Sequence, residues 1–287
     1  MKINVPTDSQ EEGIMRETLG AMKAAQRLAG TPNWAVRNER LSRIAAMVKT
    51  YREEIVAAVD EDFGGRAREE TLLAEIFTTL SSVRHARKNL RRWMRPERRS
   101  LDLAFRPARA KLLPQPLGVV GIISPWNYPL YMATSPMVGA VAAGNRVMVK
   151  PSEHTPRTSA LMTKMIGRYF ADDEIAVIQG GRRVGEVFSC LPFDHLLYTG
   201  STSVARRIMA GAAENLTPVT LELGGKSPAI ISEDVDMGTA ATSIVRGKLF
   251  NVGQTCVAPD CVLLPRSMRE FHRSGTCCGR KFLPHCW

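Results

Sequence analysis

The chain lacks any uninterrupted apolar run long enough to cross a bilayer, and its opening MKINVPTDSQEEG lacks the apolar core of a secretion signal. Both absences lead us to expect a cytoplasmic protein with no membrane partner. Its six cysteines show no paired C-x-x-C or H-x-x-x-H spacing. No metal site is therefore expected, even from Cys277, Cys278 and Cys286 beside His272 and His285. Cys190 and Cys261 lie in apolar stretches and read as small buried hydrophobes. No G-x-G-x-x-G occurs, which removes the ordinary dinucleotide fingerprint. Internal repeats and low-complexity segments are missing too.

What is present is 287 residues with 44% hydrophobic and 23% charged content, enough for one large or two ordinary domains with a real core. A net charge of +11 suggests nucleic acid at first sight, so its location matters. Residues 84–111 hold eleven Lys/Arg against two Asp/Glu, and residues 262–287 hold five against one. The rest of the chain is close to neutral. No nucleic-acid reading motif accompanies the basic stretch VRHARKNLRRWMRPERRS. A solvated helix face or subunit contact is the simpler reading, and no nucleic-acid partner is expected.

The first ninety-odd residues read as helices. Ile14, Leu19, Met22 and Leu28 recur at helical spacing, as do Leu41, Ile44, Met47, Val48 and Tyr51, then Leu72, Leu73, Ile76, Leu80 and Val83. Thr31-Pro32 marks a boundary with a capping residue and a first-turn proline. From Ser100 to Gln115 the pattern turns short, alternating and Pro-flanked, which predicts an extended arm. Five β-rich runs follow: PLGVVGII, RVMVK, EIAVIQG, DHLLYTG and PVTLEL. Helical stretches such as PLYMATSPMVGAVAAG and SVARRIMAGAAE separate them. That alternation predicts a doubly wound parallel α/β sheet. CVLLPRSMRE reads as a strand leading to a helix, after which FHRSGTCCGRKFLPHCW loses all periodicity.

Ligands in open α/β sheets bind at the carboxyl ends of strands, which singles out Lys150 and Glu153 after RVMVK. A carboxylate there can accept from two ribose hydroxyls and would repel a 2′-phosphate, favouring NAD over NADP; a surface Lys/Glu pair is the bland alternative. At the next junction, Gly200 and Ser201 precede a helix whose free N–H groups and positive dipole end suit a pyrophosphate, or merely form an N-cap. Glu222 ends a β-rich run before Gly224-Gly225, between Leu221 and Leu223, whose apolar side chains would raise its pKa. It is a candidate base, or a cap on the glycine turn. Asn127, in the Pro-braced PWNYP, could aim its amide at an oxyanion or could simply bond the turn. Cys256, after Gly253-Gln254-Thr255, is a candidate nucleophile, though a lone cysteine is more often a buried hydrophobe.

SPWNYP (124–129), LELGGKSP (221–228) and FNVGQTC (250–256) resemble motifs of the aldehyde dehydrogenase superfamily, in that family's order and approximate spacing. AFRPARAKLLPQPLGVVG and NVGQTCVAPD look most like its coniferyl-aldehyde subgroup. The resemblance covers about residues 10 to 270. It implies NAD-dependent oxidation of an aromatic or medium-chain aldehyde through a cysteine thioester. Cys256 would be the nucleophile, Asn127 an oxyanion donor with the Cys256 amide, and Glu222 the base. Ser124, Pro125, Trp126, Lys150, Glu153, Gly200, Ser201, Leu223 and Gly224 would hold the cofactor. It also implies a nucleotide-binding domain of residues 1–99 and 116–222, and an arm of residues 100–115 of the kind that pairs subunits into homodimers. Residues 223–270 would begin the catalytic domain, and 271–287 would be a non-homologous tail. Members of the family continue well past this point, so a truncated or frameshifted product with impaired activity is expected. The rival expectation is a non-catalytic nucleotide-binding fragment that uses its basic 84–111 segment for contacts.

Overall fold

A computed structural model of the chain describes residues 9–265. The helix expected after CVLLP and the tail cysteine–histidine cluster lie outside the described residues. The chain divides into two compact units, one through Glu222 and the other from Leu223.

The first unit opens with helices α1 (Ser9–Ala29), α2 (Trp34–Thr50), α3 (Arg52–Phe63) and α4 (Arg68–Thr71). On α1 the buried stripe is Met15, Leu19 and Met22, whereas Ile14 and Leu28 are exposed. The expected stripe was thus rotated by one position at its start. The cap of α2 is Asn33 rather than Thr31, its side chain accepting the Val36 N–H at 3.1 Å. A π-helical turn, Leu72–Phe77, follows α4 and runs into α5 (Thr78–Trp93). The wide turn shifts the apolar phase. Leu73 consequently faces solvent while Ile76 and Val83 are buried, and Glu75 is carried inside.

The expected arm starts earlier than Ser100 and is not extended throughout. Strand β1 (Glu97–Arg99) pairs antiparallel with β2 (Ala110–Leu112), and a 3-10 turn, Leu103–Phe105, lies between them. Asp102 caps that turn by accepting the Ala104 N–H.

The main sheet comprises β3 (Val119–Ile123), β4 (Arg146–Lys150), β5 (Ile175–Val177), β6 (His195–Gly200) and β7 (Val219–Leu223) in the order β5-β4-β3-β6-β7. The β3–β4, β3–β6 and β4–β5 pairings are parallel. Helices α6 (Tyr131–Ala143), α7 (Pro156–Tyr169), α8 (Arg182–Ser189) and α9 (Thr202–Ala213) connect the strands. Alternate residues of each strand serve two cores. Val120, Ile122, Val147 and Val149 pack with α2, α3, α5, α6 and α7. Val119, Ile123, Met148 and Leu196 pack with α1, α8 and α9. Burial on both faces is why VVGII and RVMVK read as continuous apolar runs. This is the doubly wound α/β sheet expected from the sequence.

In the second unit, β8 (Ser227–Ile230) pairs parallel with β9 (Pro259–Leu263), with α10 (Met237–Leu249) between them in sequence. The Asp236 carboxylate caps α10 by accepting the Thr239 N–H at 2.7 Å.

Candidate active site

The sheet order changes direction at β3: the chain runs outward from it through β4 and β5 on one side, then returns to β6 and β7 on the other. A crevice opens there by construction, outside the carboxyl ends of the strands. A cleft of about 400 Å³ occupies this position. Ser124, Pro125 and Trp126 enter it from the end of β3, Lys150 and Glu153 from β4, and Gly200 and Ser201 from β6.

Lys150 is buried, and its ammonium donates to the Glu153 carboxylate at 2.5 Å. Burial pushes the Glu153 carboxyl up, but the Lys150 hydrogen bond and charge outweigh this and hold it below the usual carboxylate range. Glu153 is therefore anionic at neutral pH. The Ser201 hydroxyl caps α9 by accepting the Val204 N–H. A side chain at Gly200 would overlap the Tyr198 hydroxyl, so the turn admits only glycine without rearrangement.

The opposite wall comes from helix faces that the sequence did not single out. Arg182 and Glu186 line it from α8, Cys190 from the residue that ends α8, and Arg207 and Gly211 from α9. Glu186 pairs with Arg182 at 3.0 Å and with Arg207 at 3.7 Å. The two helices approach closely at Gly211, where a Cβ would meet Ser189 Oγ at 2.7 Å and Cys190 Sγ at 2.9 Å. Cys190 is half-buried and borders the cleft, which differs from the inert core residue expected; burial pushes its thiol up. These positions carry a helical stripe but no motif, so only the fold reveals them.

The cleft suits a nucleotide on its own chemistry. It offers an anionic carboxylate, a helix N-terminus and the buried hydroxyl of Ser124, which makes no hydrogen bond among the described residues. A ribose hydroxyl or phosphate oxygen would satisfy Ser124.

Of the candidate catalytic residues, Asn127 is half-buried in the loop between β3 and α6. Glu222 stands near the end of β7 and is exposed, not enclosed by Leu221 and Leu223 as their apolar character suggested. Leu223 and Gly224 belong to the second unit and are exposed. Cys256 lies in a turn after the 3-10 segment Phe250–Gly253 and is exposed. That segment holds three successive left-handed residues: Asn251 (φ 50°), Val252 (φ 55°) and Gly253 (φ 77°). A β-branched residue there stores strain of order 1–3 kcal/mol. The turn is held by Gln254 N–H donating to the Asn251 carbonyl at 2.9 Å and Ala258 N–H to the Thr255 carbonyl at 3.0 Å. Cys261, expected to be buried, is exposed on β9.

Comparison with known proteins gives the chain a family. A sequence model of the aldehyde dehydrogenase family matches residues 4–274. A probable coniferyl aldehyde dehydrogenase of Pseudomonas aeruginosa is 50% identical over 265 residues, covering 92% of this chain and 56% of that protein. The substrate-bound AldH of Staphylococcus aureus superposes with a TM-score of 0.85 at 36% identity, over 88% of this chain and 55% of that one. An aldehyde dehydrogenase of Mycobacterium tuberculosis, solved with NAD+, gives 0.78 at 30% identity over 89% and 53%. The chain belongs to the aldehyde dehydrogenase family. It spans about half the length of the curated relatives it matches.

Proposed function

We propose that this chain carries the nucleotide site and the nucleophile of an NAD-dependent aldehyde dehydrogenase acting on aromatic or medium-chain aldehydes. The reading rests chiefly on the cleft at the ends of β3, β4 and β6, with its buried Lys150 and anionic Glu153. Ser124, Pro125, Trp126, Lys150, Glu153, Gly200 and Ser201 would hold the dinucleotide; Leu223 and Gly224 are assigned to it by the motif resemblance. Residues 1–99 and 116–222 form its nucleotide-binding domain, residues 100–115 a subunit-pairing arm, and residues 223–270 the start of the catalytic domain. A negative Glu153 accepts from ribose hydroxyls and repels a 2′-phosphate, which favours NAD over NADP.

Held by these residues, an oxidised nicotinamide would supply the hydride acceptor that the oxidation needs. The chain's own residues do the rest. The Cys256 thiolate adds to the aldehyde carbon, and the Asn127 amide and Cys256 N–H donate to the developing oxyanion. Glu222 removes a proton from the water that hydrolyses the thioester. In this chain Cys256 and Glu222 are both exposed to solvent, where such electrostatic help is weak. Turnover by these 287 residues alone is accordingly low.

Two measurements test the reading. NAD should slow alkylation of Cys190, which borders the cleft, while leaving Cys261 unprotected; equal rates with and without NAD would remove the nucleotide site. NADH formation with an aromatic aldehyde should be slow but abolished by Cys256→Ala. The exposed Arg84, Lys88 and Arg92 of α5 favour a second, non-catalytic reading. Salt-sensitive retention on DNA without NADH formation would support that one.

A further inference from the structure

A carboxylate and a guanidinium are buried together in the first unit, away from the cleft lining. Glu75 is fully buried by the π-helical turn, and Arg66 is almost so. Arg66 Nη1 donates to Glu75 Oε1 at 3.1 Å. The other carboxylate oxygen, Oε2, accepts the Tyr131 N–H at 2.7 Å, and the Leu130 amide also bonds this carboxylate. Glu75 thereby caps the start of α6, where the SPWNYP loop ends.

The second half of the arrangement is aromatic. The Arg66 guanidinium lies 5.0 Å from the centroid of the Tyr128 ring and 5.0 Å from that of Phe63. Phe63 in turn meets Trp126, with ring centroids 6.4 Å apart. Arg66 Nε and Nη2 are buried and make no hydrogen bond among the described residues, while the guanidinium carbon lies over both rings. Residues 126 and 128, on either side of Asn127, are thus both tied to one cluster. The loop's other end is fixed separately, the Ser124 N–H donating to the Lys150 carbonyl at 3.1 Å.

We infer that Arg66 and Glu75 are positioning residues for the Trp126-Asn127-Tyr128 segment, setting where the Asn127 amide and the Trp126 ring stand. Neither need touch substrate or cofactor. Glu75 fixes the loop's exit through the α6 amides, and Arg66 fixes its middle through Tyr128 and Phe63. The inference deepens the proposed function, since it supplies the rigidity that an oxyanion donor requires. A buried pair kept only for stability would instead be replaceable by neutral groups of similar shape.

The test uses the full 287-residue chain carrying 5-fluorotryptophan, read by fluorine NMR without nucleotide. The resonances of Trp34, Trp93 and Trp126 are assigned by their loss in single Trp→Phe variants. Arg66→Met should displace or broaden the Trp126 resonance while those of Trp34 and Trp93 keep their positions. Arg66→Met combined with Glu75→Gln removes the uncompensated charge and keeps an α6 cap. It should regain thermal stability yet leave Trp126 displaced. Arg66→Lys retains the charge but loses the guanidinium that lies over the two rings, and it should displace Trp126 as well. NAD titrated into these variants should bind at least fivefold more weakly than to the parent. A Trp126 resonance unmoved in all three, or restored in the double variant, overturns the inference. So does one that moves only together with Trp34 and Trp93. A parent chain that binds no NAD overturns the proposed function instead, because the Trp126 signal is read without it.

Discussion

At the residue scale, burial pushes up two acidic groups of the first unit, the Cys190 thiol and the Glu75 carboxyl. Cys256 and Cys261 are exposed, whereas burial pushes the half-buried Cys190 thiol up. With the cysteines after residue 265 replaced, iodoacetamide should label Cys256 and Cys261 well before Cys190. Peptide mapping over time checks this, and Cys190 labelled first would contradict the placement of α8. Glu75 is shifted the same way. Desolvation pushes its carboxyl up from 4.5 to about 7, against the pull of the Tyr131 and Leu130 amides and the Arg66 charge. A folded-state pKa above the unfolded one means the native state holds the proton more tightly. The resulting stability is complete below about pH 4.5 and is lost as pH rises through 7. The interval corresponds to roughly 3 kcal/mol. Urea unfolding of the parent and of Glu75→Gln should therefore give a stability difference that shrinks by about that much between pH 4.5 and 7.5. A constant difference would show that Glu75 stays charged throughout.

At the element scale, α8 is the support on which the cleft's far wall depends. Its Phe188 is fully buried and meets Phe193 with ring centroids 4.8 Å apart. Phe188→Ala should cost about 3–5 kcal/mol and weaken NAD binding as α8 loosens. Denaturation and nucleotide titration check both, and loss of stability with unchanged affinity would detach α8 from the site. Sequence made some elements legible and others not, for physical reasons. RVMVK and VVGII were readable because two-sided burial leaves an unbroken apolar run. That Lys150, Glu153, Gly200 and Ser201 line the cleft was readable because they stand at or just after the carboxyl ends of strands. SPAI hid β8, since it carries a proline and no alternation. The π-helical turn hid as well, because a shifted hydrogen-bond ladder leaves no compositional mark. Arg66 and Glu75 escaped notice because charged residues are ordinarily read as surface. Arg182, Glu186 and Cys190 reach the cleft from a helix that only the folded crossover brings there.

At the scale of the whole molecule, the two units differ in how much apolar surface they bury. The first has two cores, one on each face of its sheet, built around fully enclosed side chains such as Ile122, Met148 and Phe188. Among the described residues of the second, the buried hydrophobics are two alanines, Ala240 and Ala258. Ile230, Leu249, Val252, Val257 and Leu263 are exposed there. Among the described residues its sheet has two strands, and a pair that small is marginal in water without a packed face. Local opening free energy follows buried apolar contact, so the second unit should open far more readily than the first. Hydrogen exchange read by mass spectrometry on the intact chain separates the two. Amides of residues 227–230 and 259–263 should exchange at least a hundredfold faster than those of β3 and β4. The Cys256 turn lies between these strands in sequence and should exchange with them, which would limit how firmly the nucleophile is held. Equal protection of residues 227–230 and 146–150 would mean that the second unit is stabilised by contacts its burial does not record, and the low turnover argued above would lose its physical basis.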